Sequence, residues 1–270
     1  MTSIEKRNLP ETAGEGLTRD MFLGGALSIL QPRDGFRAGS DAVLLASAVE
    51  AKAGESLLDI GAGVGTAGLC ALYRLAGIEL WGIELQDDLA ELARLNAANN
   101  DFAGRSHIIA ADIGARQSFR GVAGPLGKSF LEAGFDHVIT NPPFFGRGRA
   151  REAKTEGRTL ARVEGHVNLA DWLKFAVARA KSRGTVTVIH RAERLGEILA
   201  GLGAGCGRLR VIPLWPESGM PAKRVIVTGL KGDKGPLELT AGLVLHEMGG
   251  KPTAAADAIS RRGAALRDVL

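Results

Sequence analysis

Residues 140–151 read TNPPFFGRGRAR, and the chemistry such a run could do is narrow. The side-chain oxygen of Asn141 and the carbonyl of Pro142 are two acceptors set side by side, on backbone that two prolines stiffen. A planar amine is a poor nucleophile because its lone pair is delocalised into a ring or an amide. Acceptors that hold both of its N–H bonds turn that lone pair toward an electrophile. Asn141 and Pro142 suit this task, Pro143 stiffens their presentation, and Phe144 can stack on the planar face, worth about 1–3 kcal/mol if the partner is a base. The plain alternative is a strand-ending turn whose phenylalanines are core, and Phe145 reads equally well as core or site. The motif selects a planar amine without choosing among adenine, guanine and a glutamine amide. Arg147, Arg149 and Arg151 follow directly and could bind phosphates or stack on bases, although a solvated loop is the common meaning of such a run.

A second group lies upstream. Asp59 to Gly65 reads DIGAGVG, a carboxylate at a strand tip followed by glycines that let backbone approach a ligand, with the unpaired N–H donors of a helix start behind them. Glu84, about 20 residues past the glycines, stands where a carboxylate can accept both hydroxyls of a ribose. Gly63, Gly65 and Gly68 match G-x-G-x-x-G, so a nicotinamide dinucleotide is one reading. Counted from Gly61, however, Thr66 stands where the third glycine belongs. Asp59 would also repel a pyrophosphate, whereas it can accept a hydrogen bond from an ammonium. That balance favours S-adenosylmethionine, whose linker carries no phosphate and whose methionyl end is an ammonium.

These residues need strand ends to stand on. Apolar runs at Ser56–Ile60, Ile78–Leu85, His107–Ala111, Phe135–Thr140 and Thr185–His190 alternate with helical patterns, including 65–75, 86–100 and a helix capped by Asn168 that runs to Gly184. Residues 114–134 read as a weaker helix with an inserted loop. Strands are also expected at Arg208–Leu214 and Arg224–Leu230, with a connection too short for a crossover helix, so one of them must run antiparallel. Alternating strands and helices imply an α/β fold with a mostly parallel sheet and helices on both faces. Ligands then gather at the carboxyl ends of the strands, where Asp59, Glu84, Asp112 and Asn141 all fall. Residues 1–20 read as a loose, flexible N-terminal segment. Residues 21–270 read as a single domain, including an extension (21–54) packed on the same sheet.

The 270-residue chain has ordinary globular composition and a formal net charge of +4, which permits a nucleic-acid partner without requiring one. An apolar run long enough for a membrane span and a leader-like N-terminus are both missing, so a cytoplasmic protein is expected. Cys70 and Cys206 read as isolated buried thiols, and no cluster has metal-ligand spacing. His107, His137, His166, His190 and His246 form no catalytic constellation and read as structural or exposed. Oligomeric state is not legible.

DIGAGVG, Glu84, Asp112 and NPPF, in this order at successive strand ends, resemble the class I methyltransferases. That resemblance implies a Rossmann-like, seven-stranded sheet with the last strand antiparallel. It also implies that Gly61, Ala62 and Gly63 line the methionine, Glu84 holds the ribose, Leu85 packs on the adenine, and Asp112 with the Ile113 backbone reads the adenine edge. DGFRAGSDAVLLASAV (34–49), PAKRVIV (221–227) and GPLELTAGLVLHE (235–247) narrow it: the chain resembles the bacterial valine-tRNA adenine N6-methyltransferases. Those relatives imply methylation of the adenine beside the anticodon of a tRNA, with the helix start at Asp41 closing over the cofactor. Alternatives from the residues are guanine amino methylation of ribosomal RNA, glutamine methylation of a protein, a small-molecule O-methyltransferase, a catalytically silent RNA-binding module and a nicotinamide dehydrogenase.

Overall fold

The computed structural model describes residues 16–35, 37–143 and 167–270. In chain order its elements are β1 (Leu17–Phe22), β2 (Leu27–Pro32), α1 (Ser40–Ser47), β3 (Ser56–Ile60), α2 (Thr66–Arg74), β4 (Glu79–Glu84), α3 (Asp87–Asn99), β5 (Ser106–Ala110), β6 (Phe135–Thr140), α4 (Leu169–Arg179), β7 (Ala180–Arg191), α5 (Leu195–Gly203), β8 (Cys206–Glu217), β9 (Arg224–Lys231), β10 (Glu238–Leu239), β11 (Leu243–His246) and α6 (Ala254–Arg262).

The main sheet runs β10-β8-β9-β7-β6-β3-β4-β5, with β11 also pairing β8. Neighbours from β7 through β6, β3 and β4 to β5 are parallel. β9 is antiparallel to both β7 and β8, because the loop from 218 to 223 is too short to carry the chain back over the sheet. It is thus the last of seven principal strands that reverses, as expected. Two short strands, β10 and β11, extend the edge beyond β8, giving nine among the described residues.

Helices cover both faces. One apolar cluster joins α1, α2 and α6 to residues such as Leu57, Ile139 and Ile226 of the sheet. The other joins Leu173 and Ala176 of α4 and Ile198 and Leu202 of α5 to Leu58, Ile60, Val138 and Val188. Successive residues of β3 alternate between the two clusters, as the period of a strand requires. Cys70 and Cys206 are buried and unbridged, and burial pushes their thiols up to about 12 and about 11.

Several boundaries differ from the sequence expectation. Residues 114–134 form no α-helix but two 3-10 turns, Arg116–Phe119 and Pro125–Gly127, with a bridge between Ala123 and Ser129. Gly121, Leu126 and Gly127 all take positive φ, which a helix does not tolerate. The segment still does a helix's packing: Phe119 stacks on Phe130 at 5.0 Å between centroids, and Phe130 meets Phe135 at 5.4 Å. α4 stops at Arg179, and Ala180 to Gly184 already belong to β7, where Lys181 binds Asp136 of β6 at 2.7 Å. Leu17 to Asp20, assigned to the loose start, lie in β1.

The extension adds no strand to the main sheet, while its Leu27, Ile29 and Leu30 share a core cluster with Leu57 and Ile139 of that sheet. β1 and β2 make their own two-stranded antiparallel sheet, seated on α3. The Leu30 N–H donates to Asn96 Oδ1 at 2.8 Å, and Asn96 Nδ2 donates to the carbonyls of Leu30 (2.9 Å) and Val64 (3.0 Å). Asn100 repeats the exchange with Ser28 at 3.0 and 2.9 Å. α1 does reach the sheet, packing between α2 and strands β6 and β7.

Candidate active site

The tip of β3 leads into a turn with three glycines in left-handed conformation, Gly61 (φ 75), Gly63 (φ 55) and Gly65 (φ 87). Each would strain an L-residue. The turn is pinned to β4 by the N–H groups of Gly61 and Ala62, which both donate to the Ile83 carbonyl at 2.9 Å. Asp59 is 2% exposed, and its Oδ2 accepts from the Gly68 N–H at 3.1 Å. Burial pushes its carboxyl up to about 7, against the pull of that N–H and with the push of Glu84. Glu84 accepts from the Gly63 N–H at 2.8 Å and the Gln86 N–H at 3.0 Å. Burial raises its pKa too, opposed by those N–H groups.

A cavity of about 310 Å³ opens between this turn, the start of α1 and the end of β6. Asp41, Asp59, Gly61, Ala62, Gly63 and Asn141 all line it, so six residues singled out from three separated stretches meet in one place. The Gly63 Cα faces open space within 4 Å. Two buried polar atoms on its walls, Thr66 Oγ1 and Asn141 Oδ1, have no hydrogen-bond partner among the described residues. Leaving a buried polar atom unpaired costs about 1–3 kcal/mol. Two such atoms on residues that line one cavity are what a polar ligand would satisfy once the side chains turn toward it.

Glu84, Leu85, Asp112 and Ile113 do not line this cavity. They stand at the ends of β4 and β5, continuing the same rim. Leu85 is 41% exposed, as a residue waiting to cover a ring would be. Asp112 Oδ1 accepts from the Gly114 N–H at 2.7 Å, and the Ser118 hydroxyl donates to its carbonyl at 3.0 Å, which fixes the loop after β5. Ile113 packs partly into the second core cluster. Pro142 is buried and Pro143 exposed. Phe144, Phe145, Arg147, Arg149, Arg151 and His166 lie outside the described residues.

The structure adds residues that sequence reasoning missed. Arg37, Ser40, Thr66, Leu89 and Arg224 share the cavity wall. Arg224 Nε donates to Asp41 Oδ2 at 2.9 Å, tying the start of α1 to β9. Arg224 sits inside the quoted PAKRVIV stretch, and Thr66 directly follows the glycines, so both carried a local signal. Trp172 carried none: its Nε1–H donates to Thr140 Oγ1 at 2.8 Å, beside Asn141. His190 is 0% exposed, and its Nδ1 accepts from the Arg191 N–H at 2.8 Å. Burial and nearby Arg194 push its pKa down to about 4, and the Pro143 backbone is among its contacts. It is a neutral buried histidine behind the proline pair, in keeping with the structural reading.

The sheet order, the glycine turn and a cavity with the buried Asp59 carboxylate on its wall are those of a class I S-adenosylmethionine-dependent methyltransferase. Comparison with known proteins agrees. The pattern of the methyltransferase small domain family matches residues 34–168, half of the chain, and this protein belongs to that family. A tRNA1(Val) (adenine(37)-N6)-methyltransferase of Porphyromonas gingivalis is 32% identical over 183 residues, 66% of this chain and 68% of its own. A protein of the same name from Actinobacillus succinogenes is 25% identical over 223 residues, 82% and 86% of the two chains. Among solved structures, a predicted O-methyltransferase of Agrobacterium tumefaciens aligns with TM-score 0.65 and 31% identity, over 83% of this chain and 97% of that one. The nicotinamide and silent-module readings fall with this membership, and the cofactor is S-adenosylmethionine.

Proposed function

We propose that this enzyme methylates the exocyclic amine, N6, of an adenine in RNA, and that the RNA is a tRNA. The observation that carries the reading is the buried, unpartnered Asn141 Oδ1 on the cofactor cavity, joined to Pro142 at the end of β6. An acceptor in that position suits an N–H donor, and the relatives named above for adenine N6 methylation of tRNA support the choice of base and of RNA.

The residues divide the work as follows. Asp59 faces the methionyl ammonium, Gly61, Ala62 and Gly63 line the methionine, and Asp41 closes the cavity from α1. Glu84 holds the ribose, Leu85 covers the adenine, and Asp112 with the Ile113 backbone reads its edge. The bound cofactor supplies an electrophilic sulfonium methyl. Asn141 Oδ1 accepts one N–H of the target amine and the Pro142 carbonyl the other, which directs the nitrogen lone pair at the methyl group. A neutral thioether, the form in which the cofactor would leave, is already a good leaving group, so no strong general base is required and the amine proton departs to solvent after transfer. Phe144 stacks on the base, while Arg147, Arg149 and Arg151 bind phosphates. Such work belongs in the cytoplasm. Among the described residues no helix is long and apolar enough to cross a membrane.

The test is transfer of a labelled methyl group to total tRNA from cells lacking this protein and, in parallel, to their ribosomal RNA, protein and small-molecule fractions, followed by nucleoside and amino-acid analysis. N6-methyladenosine is the expected product. Label in guanosine, in protein glutamine or in a small-molecule hydroxyl would each replace the reading with the corresponding alternative.

A further inference from the structure

We infer that Trp172 is a positioning residue for methyl transfer, its indole joining the strand that presents Asn141 to the turn that holds the cofactor. The inference rests on the acceptor role proposed for Asn141.

Trp172 lies in the first turn of α4, a helix whose start is fixed by the Asn168 side chain accepting from the Asp171 N–H at 2.9 Å. Its Nε1–H donates to Thr140 Oγ1 at 2.8 Å, and the same hydroxyl donates to the Ile60 carbonyl at 2.7 Å. The hydroxyl proton is therefore committed to Ile60, and its lone pair is left for the indole. Ile60 and Thr140 are register partners across β3 and β6, so this relay locks the two strand tips at one height. The far edge of the indole reaches the next residue: a Cβ built on Gly61 would stand 2.9 Å from Trp172 Cζ2 and 3.2 Å from Cη2. One side chain thus touches the residue before Asn141 and the first residue of the cofactor turn.

Trp172 does not line the cavity, so it acts through Thr140 and Gly61 and not on the reactants. The need for such a device follows from Asn141 itself. A buried acceptor without a partner gains by turning toward any donor within reach, and only neighbouring contacts keep it facing the cavity. Misplacing reacting atoms by about 1 Å can cost about a hundredfold in rate. A partly buried tryptophan that merely filled space between α4 and the sheet would do as well without its N–H.

Three substitutions separate these roles. Trp172→Phe keeps a ring over Gly61 and removes the N–H; Thr140→Val removes the hydroxyl; Thr140→Ser keeps it. Trp172→Phe is expected to lower kcat about tenfold, with the dissociation constant for S-adenosylmethionine within about twofold of wild type and a Tm lowered by only about 5 °C, so that the protein is fully folded at the assay temperature. The Trp172→Phe/Thr140→Val pair should transfer no more slowly than the slower single variant, because both remove one bond, and Thr140→Ser should recover the rate lost in Thr140→Val. Amide hydrogen exchange at Asn141, measured with cofactor bound, should be about tenfold faster in Trp172→Phe. Exchange needs no substrate, so if wild-type protein transfers nothing to tRNA, the substrate reading falls and exchange alone judges Trp172. Wild-type kcat in Trp172→Phe, losses that multiply in the double variant, cofactor affinity falling in step with kcat, or unchanged exchange would each overturn the inference.

Discussion

The tips of β3 and β6 lie side by side in the sheet and handle their polar groups in opposite ways. At β3 the turn and its carboxylates are paired within the protein, leaving only Thr66 Oγ1 at the following helix start: Asp59 with the Gly68 N–H, Glu84 of the neighbouring β4 tip with the N–H groups of Gly63 and Gln86, Gly61 and Ala62 with the Ile83 carbonyl. At β6 the side-chain oxygen of Asn141 is buried and unpaired among the described residues. A turn that satisfies itself keeps its shape before a ligand arrives and loses little freedom when one binds. An unpaired acceptor is poorer ground-state structure, and its deficit is made good when a donor enters. The donor side of the reaction is preformed; the acceptor side is held incomplete by its surroundings.

Asn141→Ala is the strongest way to break this contrast. Transfer should fall about 10²–10³-fold, the scale for losing one preorganised group at a reacting centre, while cofactor affinity stays within about threefold, as single-turnover rates and calorimetry would show. A parallel loss of both would mean that the two tips are not separable. Gly61→Ala attacks the other side. It places a methyl against the Trp172 ring in a left-handed backbone, and denaturant titration should show a stability loss of about 1–3 kcal/mol, together with weaker cofactor binding. Gly63→Ala, strained but facing open space, should cost less stability than Gly61→Ala.

Proton linkage sharpens the same comparison at a smaller scale. The folded pKa of Asp59 is raised from an ordinary 3.8 to about 7, so its ionisation opposes folding. That cost is absent below pH 4, grows between pH 4 and 7 and is complete above 7. Stability of the cofactor-free protein should fall across this window, and Asp59→Asn should flatten the fall in thermal melts. A cofactor ammonium prefers the ionised form. Its affinity should therefore rise about fivefold from pH 6 to about pH 7.5 and then level off as the cofactor's own amine begins to lose its proton. Flat binding over that range would remove Asp59 from the ammonium site. The smallest effect is expected at the Asp41–Arg224 pair, which is partly exposed on both sides. Asp41→Asn should weaken cofactor binding by about 0.5–1 kcal/mol, an effect that 0.5 M salt should largely reproduce in the wild type.

How much of this was legible from the sequence follows the same division. β3 and β6 begin and end where the sequence placed them, because apolar runs there stop at a glycine turn and at two prolines, and both stops are local backbone chemistry. That Asp59, the glycines and Asn141 meet on one rim was legible for the same reason, each standing at an element boundary, whereas Asp41 came only through the family resemblance. Trp172 was not. It lies 32 residues beyond Thr140 in the chain, and in LADWLKFAVAR an indole at helical spacing reads as core; only the packing of α4 turns its N–H onto a hydroxyl of β6. Residues 114–134 misled in the other direction. Their phenylalanines have the burial of a helix face, while Gly121, Gly124, Pro125 and Gly127 forbid the helix, and pattern alone weighs the first signal above the second. The hairpin's seat was hidden too, because Asn96 read as one position of a helical face and Asn100 as an ordinary helix end.

Those two asparagines set where the folding unit begins. The matched family pattern starts at residue 34, yet α3 offers its amides to β2 as though it were a neighbouring strand edge, and Asn96 also grips the Val64 carbonyl within the glycine turn. A chain trimmed at the start of the family pattern would strip the lining from a buried amide that props the cofactor loop. For this protein the family pattern and the hydrogen-bond network that braces the glycine turn have different first residues.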